Sequence, residues 1–344
     1  MKILIDAMGG DLAPGCAVEG AILAAKQHPD CEIVLVGDEA QVKPLLQGNT
    51  LPNISTVHTT EVITMEDDPA TAVRRKKDSS MAVCLKMLLQ GDAEGMVSAG
   101  STGALLTGAT LVAKRIRGIR RAAIGTLFPQ RGGGKALMLD SGANAECTPE
   151  YLLQFAYLGH FFMKTQMGIQ NPRIGLVNNG TEEHKGDPLR KETHRLLTEA
   201  HEAGRINFVG NVEGREALSG TCDVLVCDGF TGNVMLKTIE GAASFLMREL
   251  KDIMYADLKS KLAALVLKPG MMKLKKLLDY KEVGGAPMLG ISKTVVKAHG
   301  SSNGQAICNA VGQAIDFERS GFIQMVEANI DLMTLKEHAE SDKQ

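Results

Sequence analysis

The chain has 344 residues, 38 basic against 40 acidic side chains, a formal net charge of −2, 44% hydrophobic residues and only 4% aromatic ones, with no Trp. That balance argues against bulk electrostatic binding of nucleic acid, and so few rings cannot build stacking platforms for single strands. The length exceeds that of one small core, so one large or two intertwined lobes are expected, over residues 1–335.

The seven cysteines are scattered, odd in number and form no C-x-x-C pair. This usage fits a reducing cytoplasm, with the thiols acting as small buried hydrophobes. No signal peptide precedes the first strand, and no apolar run approaches the length of a membrane span. The expectation is a cytoplasmic, soluble protein that is free to touch a membrane surface.

In chain order, Lys2–Asp6 reads as a strand that breaks into Ala7-Met8-Gly9-Gly10-Asp11. A helix over Val18–Ala25, a strand over Glu32–Val36, a short helix over Gln41–Leu46 and a strand over Ser55–His58 follow. This alternation is the signature of a mostly parallel sheet with helices on both faces. In such sheets ligands bind beyond the carboxyl ends of the strands, which places Gly9, Gly10 and Asp11 at the binding end. Arg74–Lys77 is a run of four basic residues, either a solvated helix face or a contact for an anion or an acidic partner. The helix from Ser80 to Leu89 turns an apolar stripe to the core.

Residues 95–107, GMVSAGSTGALLT, read as strand, small-residue turn and helix start. Free N–H groups and the helix dipole would favour an anion there, and Ser101 and Thr102 add hydroxyls. The pattern suits a phosphate cradle at Gly100, Ser101, Thr102 and Gly103, or an ordinary turn with a Ser or Thr cap. It lacks both the Walker A lysine and the G-x-G-x-x-G spacing of dinucleotide folds. Ala122–Phe128 and Ala136–Asp140 read as strands, the second ending in Asp140-Ser141-Gly142-Ala143-Asn144, where Asp and Asn orient a ligand or close an Asx turn.

Glu150–Gln166 is an apolar helix. The strand Ile174–Val177 opens into ten polar or glycine residues, 178–187, in the position where function concentrates. Phe208–Val209 is a short strand before Gly210–Arg215, and Val224–Cys227 leads through Asp228–Asn233 to a helix from Val234. Residues 242–282 read as a helical hairpin with its tip at Pro269-Gly270. Across 257–280, six lysines against two aspartates leave a surplus of four positive charges beside a leucine-rich face. Such an arm suits an anionic membrane surface or a dimer interface. His299 follows Val295–Ala298 at a strand end and would bind a ligand, donate a proton or brace a loop. No metal-ligand spacing occurs.

Seven blocks in order, IDAMGGD (5–11), RRKKDSSM (74–81), SAGSTGALL (98–106), EEHKGD (182–187), GNVEGRE (210–216), DGFTGNVMLKT (228–238) and KAHGSSN (297–303), resemble the bacterial PlsX family of phosphate acyltransferases. The resemblance runs from about residue 2 to about 330 and departs from the family pattern at Asn179, where the family tends to carry a more apolar residue. It implies a three-layer α/β/α fold with a mixed, mostly parallel sheet, like that of isocitrate and isopropylmalate dehydrogenases, plus the protruding hairpin. It also implies transfer of a fatty acyl group from acyl-acyl-carrier-protein to inorganic phosphate, without a cofactor or metal, feeding phospholipid synthesis and a downstream glycerol-3-phosphate acyltransferase. Family members are dimers peripheral to the membrane, so a homodimer that meets anionic lipid through 257–280 is expected. Carried over residue by residue, Lys185 would balance charge and Asn233 would donate to the thioester oxygen. Gly100, Ser101, Thr102, Gly103, Asn144, Asp228 and His299 would bind substrate. The competing readings are a nicotinamide-dependent hydroxy-acid dehydrogenase on the same fold and a non-catalytic scaffold docked on the membrane.

Overall fold

The computed structural model describes residues 1–48, 51–278 and 284–333. The first half alternates as expected: β1 (Lys2–Asp6), α1 (Gly15–Gln27), β2 (Glu32–Gly37), α2 (Glu39–Leu46), β3 (Ile54–His58), α3 (Ala72–Arg75), α4 (Ser80–Gln90) and β4 (Gly95–Ser98). The helix α5 (Thr102–Gly108) runs on into a wider π turn over Ala109–Ala113. Next come β5 (Ala123–Ile124), β6 (Thr126–Pro129), β7 (Lys135–Leu139), α6 (Pro149–Met167), β8 (Arg173–Asn178), α7 (Pro188–Glu202), β9 (Asn207–Glu213) and β10 (Val224–Val226). The chain continues through α8 (Gly229–Tyr255), α9 (Leu258–Leu278), β11 (Gly285–Leu289), β12 (Thr294–Ala298), α10 (Gly304–Arg319) and α11 (Phe322–Ala328).

The strands form two sheets, ordered β3-β2-β1-β4-β12-β11-β5 and β6-β7-β10-β8-β9. β3, β2, β1, β4 and β12 are mutually parallel, and β11 runs against both its neighbours. In the second sheet only β6 is antiparallel. The central strands are apolar on both faces because helices cover both. One face of the first sheet packs on α1 and α10, and the other on α4 and α5. The second sheet packs on α6, α7 and α11, with the start of α8 on its other face. The α/β class and its mostly parallel strands are as expected, with the strands divided between two sheets.

Several local readings change. The run 122–128 is two strands, not one: the chain leaves the first sheet after β5 and enters the second at β6, with Gly125 between them. The Gly125 N–H goes to the Pro287 carbonyl at 3.0 Å, so one residue still belongs to the first sheet's neighbourhood while the next does not. The expected turn after Val209 is strand instead, because β9 continues to Glu213 with an irregularity in its pairing to β8. α7 was not anticipated. Its core-facing set is only Thr193, Leu196, Leu197 and Ala200 on an otherwise polar helix.

The hairpin bends at Ala256-Asp257, not at Pro269-Gly270. Asp257 Oδ1 accepts the Ser260 N–H at 2.8 Å and starts α9, which then carries Pro269 in its interior. Residues 279–282 of the expected arm, and 334–335 of the expected domain, lie outside the described residues.

Candidate active site

A cavity of about 750 Å³ lies where the two sheets meet. The first sheet contributes segments at the ends of β1, β4 and β12, namely Gly10-Asp11, Ala99–Thr102 and Lys297–Gly300. The other side brings Ser141 and Gly142 after β7, and Asn233, Leu236, Lys237 and Glu240 from α8. Val62–Met65, Ile124, Leu127 and Ala286 make much of the wall apolar.

A buried carboxylate fixes the first sheet's share. Asp6 ends β1 at 3% exposure. Its Oδ1 accepts the Ser80 hydroxyl at 2.5 Å, and its Oδ2 accepts the Ser98 hydroxyl at 2.6 Å. Ser98 Oγ in turn accepts the Gly100 N–H at 3.1 Å. One side chain therefore ties β1, α4 and the turn after β4. Burial pushes the Asp6 pKa up, against these hydrogen bonds, which lower it. A Cβ at Gly9 would stand 2.6 Å from Asp6 Oδ2 and 2.7 Å from the Gly100 nitrogen, so only glycine lets the two turns touch.

A second buried carboxylate fixes the other side. Asp140 is fully buried. Its Oδ1 accepts N–H groups of Ile124, Gly142 and Ala143, and its Oδ2 accepts the backbone and side-chain N–H of Asn144. Ile124 belongs to the first sheet, so this carboxylate also stitches the sheets together. Burial pushes its pKa up, and the donors from Ile124, Ala143 and Asn144 oppose that push. The carbonyl of Asp140 faces the opening turn of α8, where a Cβ at position 232 would stand 1.9 Å from that oxygen. Gly232 removes the obstacle, and Asn233 comes to rest against Gly142, where an added Cβ would be 3.6 Å from Asn233 Oδ1.

Of the residues singled out from sequence, Gly100, Ser101, Thr102, Asn233 and His299 line this cavity together. Ser101 also caps α5, with Oγ accepting the Ala104 N–H at 3.4 Å, so the cap reading of this turn is realised beside the cavity reading. Gly103 sits in the first turn of α5, against the Pro69 ring, and is not part of the lining. Asn144 is held by Asp140 and the Ala122 carbonyl. Asp228 caps α8 through the Thr231 N–H at 2.8 Å and pairs with Arg190. Asn144 and Asp228 thus build the frame around Asn233 rather than the wall.

Lys185 is on the β8–α7 loop, half-buried, outside the lining, with its side chain over Gly180 and its carbonyl held by Asn178. From the basic run, Lys76 bonds to the Val62 carbonyl and to Asp67 and so braces the loop 62–67 that forms one wall.

At the far rim His299 Nδ1 accepts the Ser301 N–H at 3.2 Å, which leaves the proton of the neutral ring on Nε2. Burial, with Lys237 and Lys297 nearby, holds its pKa down. Lys237 pairs with Glu240 at 2.7 Å. Sequence reasoning missed two residues here, Asp6 and Lys297. The available signal was a charged residue at or beside the end of each of two apolar strands, KILID and TVVKA. Among the described residues, no three His, Cys, Asp or Glu gather as a metal site.

The model of a family described as "Fatty acid synthesis protein" matches residues 1–325. The chain is 45% identical over 337 residues to a phosphate acyltransferase of Brevibacillus brevis, covering 98% of this chain and 99% of that one. It is 46% identical over 332 residues to one of Alkaliphilus oremlandii, covering 96% and 97%. Among solved structures, a phosphotransacetylase of Staphylococcus aureus aligns with TM-score 0.56 at 16% identity over 94% of each chain. A branched-chain phosphotransacylase of Enterococcus faecalis aligns with TM-score 0.57 at 12% identity, over 92% of this chain and 99% of that one. At such identities these two establish the shared fold.

Gly232→Ala is expected to destabilise the protein by about 1–3 kcal/mol or more, because the Asp140 carbonyl cannot withdraw without opening its turn. Urea unfolding reads the loss. A variant as stable as the parent would show that the contact relaxes freely.

Proposed function

We propose that this chain, which belongs to the fatty acid synthesis protein family, transfers a fatty acyl group from an acyl-carrier-protein thioester to inorganic phosphate. Its curated relatives are phosphate acyltransferases, and the enzyme is an acyltransferase of that kind. The observation that carries the reading is the shared cavity. A small-residue turn at a helix start comes from one sheet, an amide side chain comes from the other, and an apolar wall runs between them.

Phosphate suits the turn Gly100–Thr102. The opening N–H groups and dipole of α5 favour an anion, and the Ser101 hydroxyl still has its proton to donate after accepting from Ala104. An acyl chain suits the wall of Val62, Ile63, Met65, Leu127 and Leu236. A phosphate oxygen then attacks the thioester carbonyl carbon. The new C–O bond forms, negative charge gathers on the carbonyl oxygen, the C–S bond breaks, and the departing sulfur takes a proton. In this reading Asn233 donates to that oxygen, and the His299 ring supplies a proton to the sulfur. Holding both reactants in one cavity supplies much of the remaining acceleration. Lys185, outside the wall, acts here through longer-range charge.

The arm supports a second part of the proposal. Among the described residues no helix is long and apolar enough to cross a membrane. Yet Leu258, Leu262, Leu265, Val266, Leu267 and Met272 of α9, and Phe245, Leu246, Ile253 and Tyr255 of α8, are exposed. With lysines beside them, these side chains suit peripheral attachment of a cytoplasmic enzyme to anionic lipid, and pairing of two copies through the base of the arm. The acyl phosphate would pass to a downstream glycerol-3-phosphate acyltransferase.

Asn233→Ala should lower kcat by about a hundredfold or more, the usual loss for one oxyanion donor, in an assay of acyl phosphate formed from acyl-carrier-protein and phosphate. Unchanged kcat would remove Asn233 from the chemistry. Lys185→Ala should lower turnover several-fold with the circular dichroism spectrum intact, and near-normal turnover would end its assigned role. Replacing Leu265 and Leu267 together with Glu should release the protein from anionic vesicles in co-sedimentation. Retention on the pellet would rule out this face of the arm.

A further inference from the structure

We propose that Lys297 is the cation that meets the phosphate in this cavity, a phosphate-binding residue distinct from the glycine turn. This rests on the phosphate acyltransferase reading above and extends it to a named side chain.

Lys297 lies near the end of β12, in register with Ser98 of β4. It lines the same cavity as Gly100, Ser101 and Thr102. Its Nζ donates to the Ala298 carbonyl, and an ammonium has three donors. The nearby carboxylate Asp6 already has both oxygens engaged by Ser80 and Ser98. Among the described residues Asp6 makes no ion pair with Lys297, so its two hydroxyl bonds mark it as a structural anchor and the ammonium has donors left for another anion. Burial draws the Lys297 pKa down to about 8, while Asp6 and Asp11 pull it back up. A phosphate dianion at the turn would relieve the remaining cost of that buried charge. The other charged groups around the site are Asp11 after β1, His299 after β12, and Lys237 with Glu240 on α8. Lys237 is paired, so Lys297 is the better-placed partner for phosphate.

Steady-state kinetics with inorganic phosphate and acyl-carrier-protein test this on the full chain. Lys297→Gln should raise the phosphate KM by roughly ten- to a hundredfold, the range for losing a charge-assisted hydrogen bond. The KM for the acyl donor should stay within about twofold. Lys297→Arg should restore most of the phosphate affinity. The parent's phosphate KM should climb above about pH 8 as Lys297 loses its proton, and the Arg variant should stay flat because its guanidinium does not titrate there.

Since Lys297→Gln places a neutral amide near Asp6 and can impair folding, a second measurement uses the parent protein. Phosphate, and not chloride at equal ionic strength, should protect Lys297 from amine acetylation read by peptide mass spectrometry. An unchanged phosphate KM in Lys297→Gln, or equal labelling with and without phosphate, overturns the assignment. Failure of the parent to form acyl phosphate would instead count against the functional reading, while the labelling experiment still reports on phosphate at Lys297.

Discussion

The carboxylate of Asp140 holds this structure's working region together. It is sealed from water and satisfied by five N–H donors, one of them from the neighbouring sheet. Buried charge is tolerable only when it is fully hydrogen-bonded, so the turn that follows β7 has one stable shape. That shape presents the Asp140 carbonyl to α8, Gly232 accepts the close approach, and Asn233 is delivered beside Gly142. On the opposite wall Asp6 plays the corresponding part for the turn after β4. Two buried acids thereby decide where the groups that line the cavity must stand.

Much of this was legible in the residues. β1, β2 and β4 were readable because each is a short apolar run punctuated by Gly or Asp, and β3 because its β-branched residues follow Pro52-Asn53. The convergence of strand ends was readable because parallel strands gather their carboxyl termini on one side. Gly100–Thr102, Asn233 and His299 met in one cavity for that reason. The division at Gly125 was not readable, since AAIGTLF keeps an unbroken apolar pattern while the chain changes sheets. α7 hid because only a narrow stripe of it is buried. The hairpin's bend was misplaced because Pro269-Gly270 is a strong turn signal, yet a helix supported on one side can carry both residues.

Side-chain roles were harder still. Asn144 and Asp228 sit at strand ends, as ligand residues do, but their hydrogen bonds are spent on Asp140 and on the start of α8. Nothing in composition or spacing distinguishes a residue that frames a site from one that faces into it. Lys297 escaped notice for the opposite reason. It stands one residue before the end of an apolar strand, in a motif whose histidine draws attention first, and its neighbour Asp6 lies 291 positions earlier in the chain and two strands away in the sheet.

α8 belongs to two places at once. Its opening turns carry Asn233, Leu236 and Glu240 into the cavity, and its later turns expose Phe245, Leu246, Ile253 and Tyr255. A continuous helix of 27 residues is a stiff rod about 40 Å long. Its two ends cannot be repositioned independently: whatever surface seats the outer end also sets the angle at which the inner end enters the cavity.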